Sequence, residues 1–273
     1  MQAHRTAGDG WTLDTIPWQD VDLARVRNRE DLFYLVAAAS FIEIAAELYT
    51  ANLVQAFADD AEVRGWLEAH WQVEEVRHGR VLRAYVNHAW PDFDWERAYA
   101  AFYADYSQRC TVEEFEPTHG LEMVARCVVE TGTSTYYQAL AAQTDEPVLA
   151  GIAARIRAEE IGHYKHFYRY FRKFSACQPA GRVAVLGALR RRLVEARQDD
   201  AECALRHVFA VRDGSTDPAR FHALRARLVR QMKQQYPVAM AARMLLKPLD
   251  LPSGVARVVE GPVARWTAWV LQR

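Results

Sequence analysis

A glutamate inside an apolar stretch is followed about thirty residues later by Glu-x-x-His, and the chain does this twice. The first unit is Glu43 with Glu75-Val76-Arg77-His78; the second is Glu130 with Glu160-Ile161-Gly162-His163. Residues three apart share a face of an α-helix, so each Glu-x-x-His aims a carboxylate and an imidazole at one point. A single tetrapeptide of this kind is a common accident. The doubling, with spacings of 32 and 30 residues, is not. Position 59, midway between Glu43 and Glu75, falls in Ala58-Asp59-Asp60, and position 145, midway between Glu130 and Glu160, falls in Thr144-Asp145-Glu146-Pro147. Both are turn sequences. In an antiparallel helix hairpin, residues equidistant from the turn lie level, so each hairpin places three ligating side chains at one height.

The 51 residues from 79 to 129 are too many for a simple turn and suit a connection that crosses the bundle. Two antiparallel hairpins with one long crossover form the ferritin-like topology. There, a Glu from each of two helices and Glu-x-x-His from each of the other two enclose a pair of metal ions. Burial argues the same way. Glu43 sits among Phe41, Ile42, Ile44 and Ala45, and Glu130 follows Cys127, Val128 and Val129. An ionised carboxylate in such surroundings costs several kcal/mol unless a partner compensates it. Six oxygen and nitrogen ligands (Glu43, Glu75, His78, Glu130, Glu160 and His163) suit two iron ions, or manganese in one position, better than tetrahedral zinc. The competing reading is a plain helical bundle in which these residues pair with arginines such as Arg77 and Arg126. Glu47 competes with Glu43, His166 with His163, and Glu74 and Glu159 reach the histidine of their own helix at i,i+4.

Helical periodicity runs over about 29–57, 61–88, 94–108, 119–143, 147–175, 180–210, 217–245 and 254–271, with no strand pattern between. The fold class read from this is all-α: a ferritin-like four-helix bundle over 29–175, preceded by an arm at 1–28 and followed by a helical extension, 176–273, packed on the bundle. With 273 residues, 51% of them apolar, the chain has enough material for one substantial core. A net charge of -1 gives no basic excess for nucleic acid. Four scattered cysteines without a Cys-x-x-Cys pair, and no signal-peptide pattern, place the chain in a reducing cytoplasm. The most apolar stretch, 32–57, carries Glu43, Glu47, Asn52 and Gln55, which reads as a buried bundle helix rather than a membrane span.

The segments AHWQVEEVRHGRVLRAYV and LAAQTDEPVLAGIAARIRAEEIGHYKHFYRYF resemble the soluble acyl-carrier-protein desaturases, whose plant members carry EENRHG and DEKRH at these places. The resemblance covers roughly 30–175. It implies that Glu43, Glu75, His78, Glu130, Glu160 and His163 are the six iron ligands. It also implies that Thr133, one turn after Glu130, handles dioxygen and protons, its alternative being a hydroxyl bonded to its own backbone. Glu159 is implied to lie on an electron route through an iron-bound histidine. A fatty acyl substrate on an acidic carrier protein, an external electron donor such as a ferredoxin, and a homodimer are further implications. The chain departs from the family at Gly162, where an arginine usually precedes the histidine, and 176–273 has no counterpart.

Three functions follow as expectations. The first is a diiron oxidase that desaturates or otherwise oxidises the acyl chain, with Phe33, Tyr34, Tyr136 and Tyr137 lining its path or simply filling the core. The basic run Arg220, Arg225, Arg227, Arg230, Lys233, Arg243 and Lys247, with no acid between 218 and 249, would dock the carrier or be an ordinary solvated face. The second is hydroxylation or N-oxygenation of a small amine, amino acid or aromatic. The third is a non-catalytic iron-binding protein.

Overall fold

The computed structural model describes residues 11–109, 115–195 and 200–252, together with 254, 255, 258, 260–262, 264 and 265. Every regular element among them is helical. After two 3₁₀ turns, Leu13–Thr15 and Trp18–Asp20, the arm ends in a short helix α1, Leu23–Val26, whose first turn is capped by the Asp22 carboxylate. The arm read as irregular is thus structured from residue 11 onward, and residues 1–10 lie outside the described part.

The first long helix is α2, Glu30–Ile44, continued after a bend at Ala45 by α3, Ala46–Ala56. Asp60 caps α4, Ala61–Trp66, by accepting from the Val63 amide, and a π-helical turn, Leu67–Trp71, joins it to α5, Gln72–Ala89. Such turns insert one residue into a helix and cluster at functional sites. The crossover contains α6, Trp95–Tyr106; residues 110–114 lie outside the described part. Thr118 caps α7, His119–Gln143, and Glu146 accepts from two amides at the start of α8, Pro147–Cys177, with proline at the position where its missing N–H is harmless. Helices α2 and α5 pack together, as do α7 and α8, and α5 also meets α8. The expected turns at 58–60 and 144–147 therefore do close two antiparallel pairs.

The helix read over 180–210 is α9, Arg182–Glu195, and α10, Asp200–Arg212, with 196–199 outside the described part; α9 packs on α7, whereas α10 packs on α2 and α6. The helix read over 217–245 divides into α11, Pro218–Gln235, and α12, Val238–Leu246. Pro237 explains the division: its ring excludes the helical conformation from the residue before it, and Tyr236 has φ -69° and ψ 126°. Both α11 and α12 pack on α7.

Glu30–Ala56 is apolar and long enough to cross a membrane, but 72% of its most apolar window is buried against the rest of the protein. The apolar core has two parts. One joins Phe33, Phe41, Val81, Tyr85, Tyr137 and Ile156 with Val208 and Phe221 of the extension. The other joins Leu53, Leu67, Trp71, Val128, Tyr164 and Phe167. A layer of buried acids and histidines lies where these two parts meet. The α2–α5 approach that narrows this layer depends on Gly79, since a Cβ there would stand 2.6 Å from the backbone nitrogen of Ile44.

Candidate metal centre

Glu43 on α2, Glu75 and His78 on α5, Glu130 on α7, and Glu160 and His163 on α8 converge in this layer, all buried. Their ligand atoms form two groups, Glu43–Glu75–His78–Glu160 and Glu75–Glu130–Glu160–His163, so Glu75 and Glu160 belong to both. His78 Nδ1 lies 3.1 Å from Glu160 Oε1 and 3.6 Å from Glu43 Oε2. His163 Nδ1 lies 3.0 Å from Glu75 Oε1, 3.6 Å from Glu130 Oε2 and 3.7 Å from Glu160 Oε2. These are close to the spacing of neighbouring ligands about one ion, since bonds of about 2.1 Å at right angles subtend about 3 Å.

Close approach has not produced satisfied hydrogen bonds. Glu43 Oε2, Glu75 Oε1, His78 Nδ1, Glu130 Oε2, Glu160 Oε1 and His163 Nδ1 are each buried without a hydrogen-bond partner. Buried polar atoms are nearly always paired, and six orphans aimed at one region call for something that accepts electron pairs from all of them. Four ionised carboxylates and two neutral imidazoles carry four negative charges, which two divalent cations cancel. The donor set suits iron or manganese.

The outer nitrogen of each imidazole is held by a carboxylate. His78 Nε2–H donates to Glu159 Oε2 at 2.7 Å, and His163 Nε2–H donates to Glu74 Oε2 at 2.8 Å. This arrangement turns Nδ1 toward the centre and is the usual support of a metal-bound histidine. Here the expected pairing within one helix is corrected. Glu74 serves the histidine of α8 and Glu159 that of α5, because each Nε2 points across to the facing helix. Arg77 Nη2 lies 2.8 Å from Glu159 and 3.8 Å from Glu74, joining the two supports. Trp11 of the arm stacks on His78 and donates its indole N–H to Glu159 Oε1 at 3.0 Å.

Electrostatics follow from burial and crowding. Burial, with Glu160 and Glu43 nearby, holds Glu75 well above the usual carboxylate range, and burial pushes Glu130 up to about 8. Burial also acts to raise Glu160, but the adjacent His163 and His78 imidazoles outweigh it and bring this carboxyl well below the ordinary value. Burial opposes charge on both imidazoles, yet their ring of carboxylates raises both well above the usual range. Without a metal ion the centre therefore retains protons on groups that a cation would displace.

Thr133 Oγ1 lies 2.8 Å from Glu160 Oε2, to which it donates, and 3.3 and 3.4 Å from the carbonyls of Glu130 and Val129. The hydroxyl thus touches both a cluster carboxylate and the backbone of its own helix. Glu47 is exposed, which leaves Glu43 as the first-helix member of the cluster. His166 stands outside it, stacked on Trp66 with ring centroids 4.8 Å apart. The aromatics considered as a substrate path are packed side chains: Phe33 lies edge-on to Trp90 and Phe93, the Tyr34 hydroxyl meets Asp213, Tyr136 donates to the Leu35 carbonyl, and Tyr137 donates to Glu43. In the basic run, Arg220, Arg225, Arg227 and Arg243 form surface ion pairs with Asp213, Glu202, Glu30 and Glu260. A surface cavity lined by Phe57, Phe115, Glu116, Pro117, His119 and Glu122 has none of the six cluster residues in its wall.

Sequence reasoning did not single out Trp11, or Trp71, whose indole N–H donates to Glu130 Oε1 at 3.2 Å. Trp11 had no local signal. Trp71 had one, lying four residues before Glu75 and hence on the same helix face. Neither a protein-family model nor a curated protein matches the chain.

Proposed function

We propose that the chain is a ferritin-like, non-haem diiron oxidoreductase that activates dioxygen. The observation that carries this reading is the set of six orphaned, buried ligand atoms in two groups that share Glu75 and Glu160. Two antiparallel hairpins with α6 in the long connection support the ferritin-like topology. When bound, the iron pair would supply the reduction of dioxygen and the oxidation of an unreactive C–H bond, chemistry beyond side chains alone; manganese in one position is compatible with the same donors.

The chain's own residues have separable tasks. Glu159 and Glu74 hold the histidine Nε2 protons and so orient Nδ1. Thr133 keeps a hydroxyl proton against Glu160 Oε2, beside the reacting region. The two apolar clusters above and below exclude water, which strengthens every charge interaction inside. Glu159 also links His78 to Trp11, a contact that supports an electron route from an external donor such as a ferredoxin. By resemblance, the substrate is a fatty acyl chain on an acidic carrier protein, and the assembly a homodimer.

A second reading, hydroxylation or N-oxygenation of a small amine, amino acid or aromatic, is favoured by one observation. The basic run that would steer an acidic carrier has, among the described residues, four of its seven charges paired with acids of this same chain. The decisive experiment is anaerobic loading with ferrous iron, followed by dioxygen and reductant with acyl carriers or free amines. Two irons per chain and a new double bond support the acyl reading, and product only from the small molecules supports the second. Iron oxidation without organic product overturns both in favour of an iron-binding role.

A further inference from the structure

Glu43 and Glu130 differ from Glu75 and Glu160 in belonging to one ligand group each. Each has one oxygen already taken by a neutral ring donor. The Tyr137 hydroxyl donates to Glu43 Oε1, and the Trp71 indole N–H donates to Glu130 Oε1. In both residues the other oxygen, Oε2, is the orphan that faces the centre.

The two donors come from different helices than the carboxylates they hold. Tyr137 stands on α7, about two turns beyond Glu130, and reaches Glu43 on α2; Trp71, in the π-helical turn before α5, reaches Glu130 on α7. Both rings are buried, Tyr137 at 1% exposure and Trp71 at 4%, so water cannot readily replace them. A carboxylate has two oxygens and can give both to one cation. A hydrogen bond to one of them occupies a lone pair and holds that oxygen toward the ring donor, which disfavours giving both to one cation.

We propose that Tyr137 and Trp71 are positioning residues that restrict each terminal carboxylate to a single oxygen toward the centre and so keep room beside each metal ion for an exogenous ligand. This rests on the diiron reading above. Four protein residues per group, each giving one atom, leave about two positions of an octahedral shell open; a terminal carboxylate that gave both oxygens would fill one of them. The clamp is assigned separately to each half of the centre, Tyr137 to the group containing His78 and Trp71 to the group containing His163.

The test uses the full chain and its Tyr137→Phe and Trp71→Phe variants, loaded anaerobically with ferrous iron and titrated with azide and with nitric oxide. The readouts are iron per chain, thermal midpoint, and the absorption and paramagnetic-resonance signatures of the bound small ligand. The expected result is two irons in all three proteins, with azide affinity about tenfold or more weaker in each variant, and nitric oxide lost from one iron of the pair. Full iron with unchanged azide affinity overturns the clamp while leaving the diiron reading intact. So does loss of iron from a variant that still melts cooperatively, since the donor would then serve binding itself. A wild-type chain that takes up no iron overturns the diiron reading and the clamp with it.

Discussion

Among the described residues, two clusters combine acids with histidine, and they have opposite physical characters. The central one is buried, draws on α2, α5, α7 and α8, and leaves six ligand atoms unpaired. The other joins Asp105 of α6 to Cys203 and His207, one turn apart on α10. There His207 Nε2 lies 3.2 Å and Cys203 Sγ 3.5 Å from Asp105 Oδ2, while Arg109 sits against both oxygens of the same carboxylate. Burial and the Asp105 charge push the Cys203 thiol up to about 12, and Asp105 is lowered, first by its bond with His207. Among the described residues, no buried polar atom of this cluster is left without a partner. Ligand types at helical spacing are common to both places; unmet demand belongs to one, and that is what marks a site for an ion.

The sharpest way to break this contrast is Glu160→Ala or Glu75→Ala. Each removes a carboxylate shared by both groups, so on the diiron reading iron per chain should fall from two to none by elemental analysis. Glu43→Ala and Glu130→Ala, which touch one group each, should retain one. Gly79→Ala tests the helix approach that builds the central cluster. A methyl group 2.6 Å from the Ile44 nitrogen forces backbone apart, with an expected loss of about 2–3 kcal/mol in urea unfolding and weaker metal uptake.

The pH dependence has a definite sign. Glu130 and Glu75 are raised above the ordinary 4.5, so the stability they contribute is complete below 4.5 and is lost as pH rises through their folded values, about 8 for Glu130. His78 and His163, raised above 6.5, act in the same direction over a higher range. Glu160, lowered, contributes stability above 4.5 that is lost only as pH falls through its folded value. Metal-free protein should therefore lose stability, roughly a few kcal/mol, between pH 5 and 8, about the range between the ordinary and raised values. Bound divalent metal should flatten this slope and release protons, measurable by calorimetry in buffers of different ionisation heat. The smallest effect is expected at the other cluster. Cys203→Ala and His207→Ala should leave two irons per chain and shift stability by about 1 kcal/mol or less.

Much of the helix layout and of the central cluster was legible in sequence because the relevant spacings are short. Glu-x-x-His expresses one helix turn, and a turn midway between Glu43 and Glu75 fixes their common height. What escaped was long-range. Trp11 meets Glu159 across 148 positions, a contact no local pattern announces. The crossed pairing of Glu74 with His163 and Glu159 with His78 depends on which way each imidazole edge faces, which sequence spacing alone leaves open. The ion pairs of the basic run were hidden for a similar reason: Arg227 meets Glu30 across 197 positions. The division at Pro237, by contrast, had a local cause that helical periodicity on either side concealed.

The sharing of Glu75 and Glu160 has a consequence for occupancy. Two ions that use the same carboxylates are thermodynamically coupled: whatever factor the first imposes on the affinity of the second, the second imposes equally on the first. Affinities measured on this centre are therefore properties of the pair. On the diiron reading, substituting iron in one position by manganese would retune the iron that remains, although none of that iron's own terminal ligands had changed.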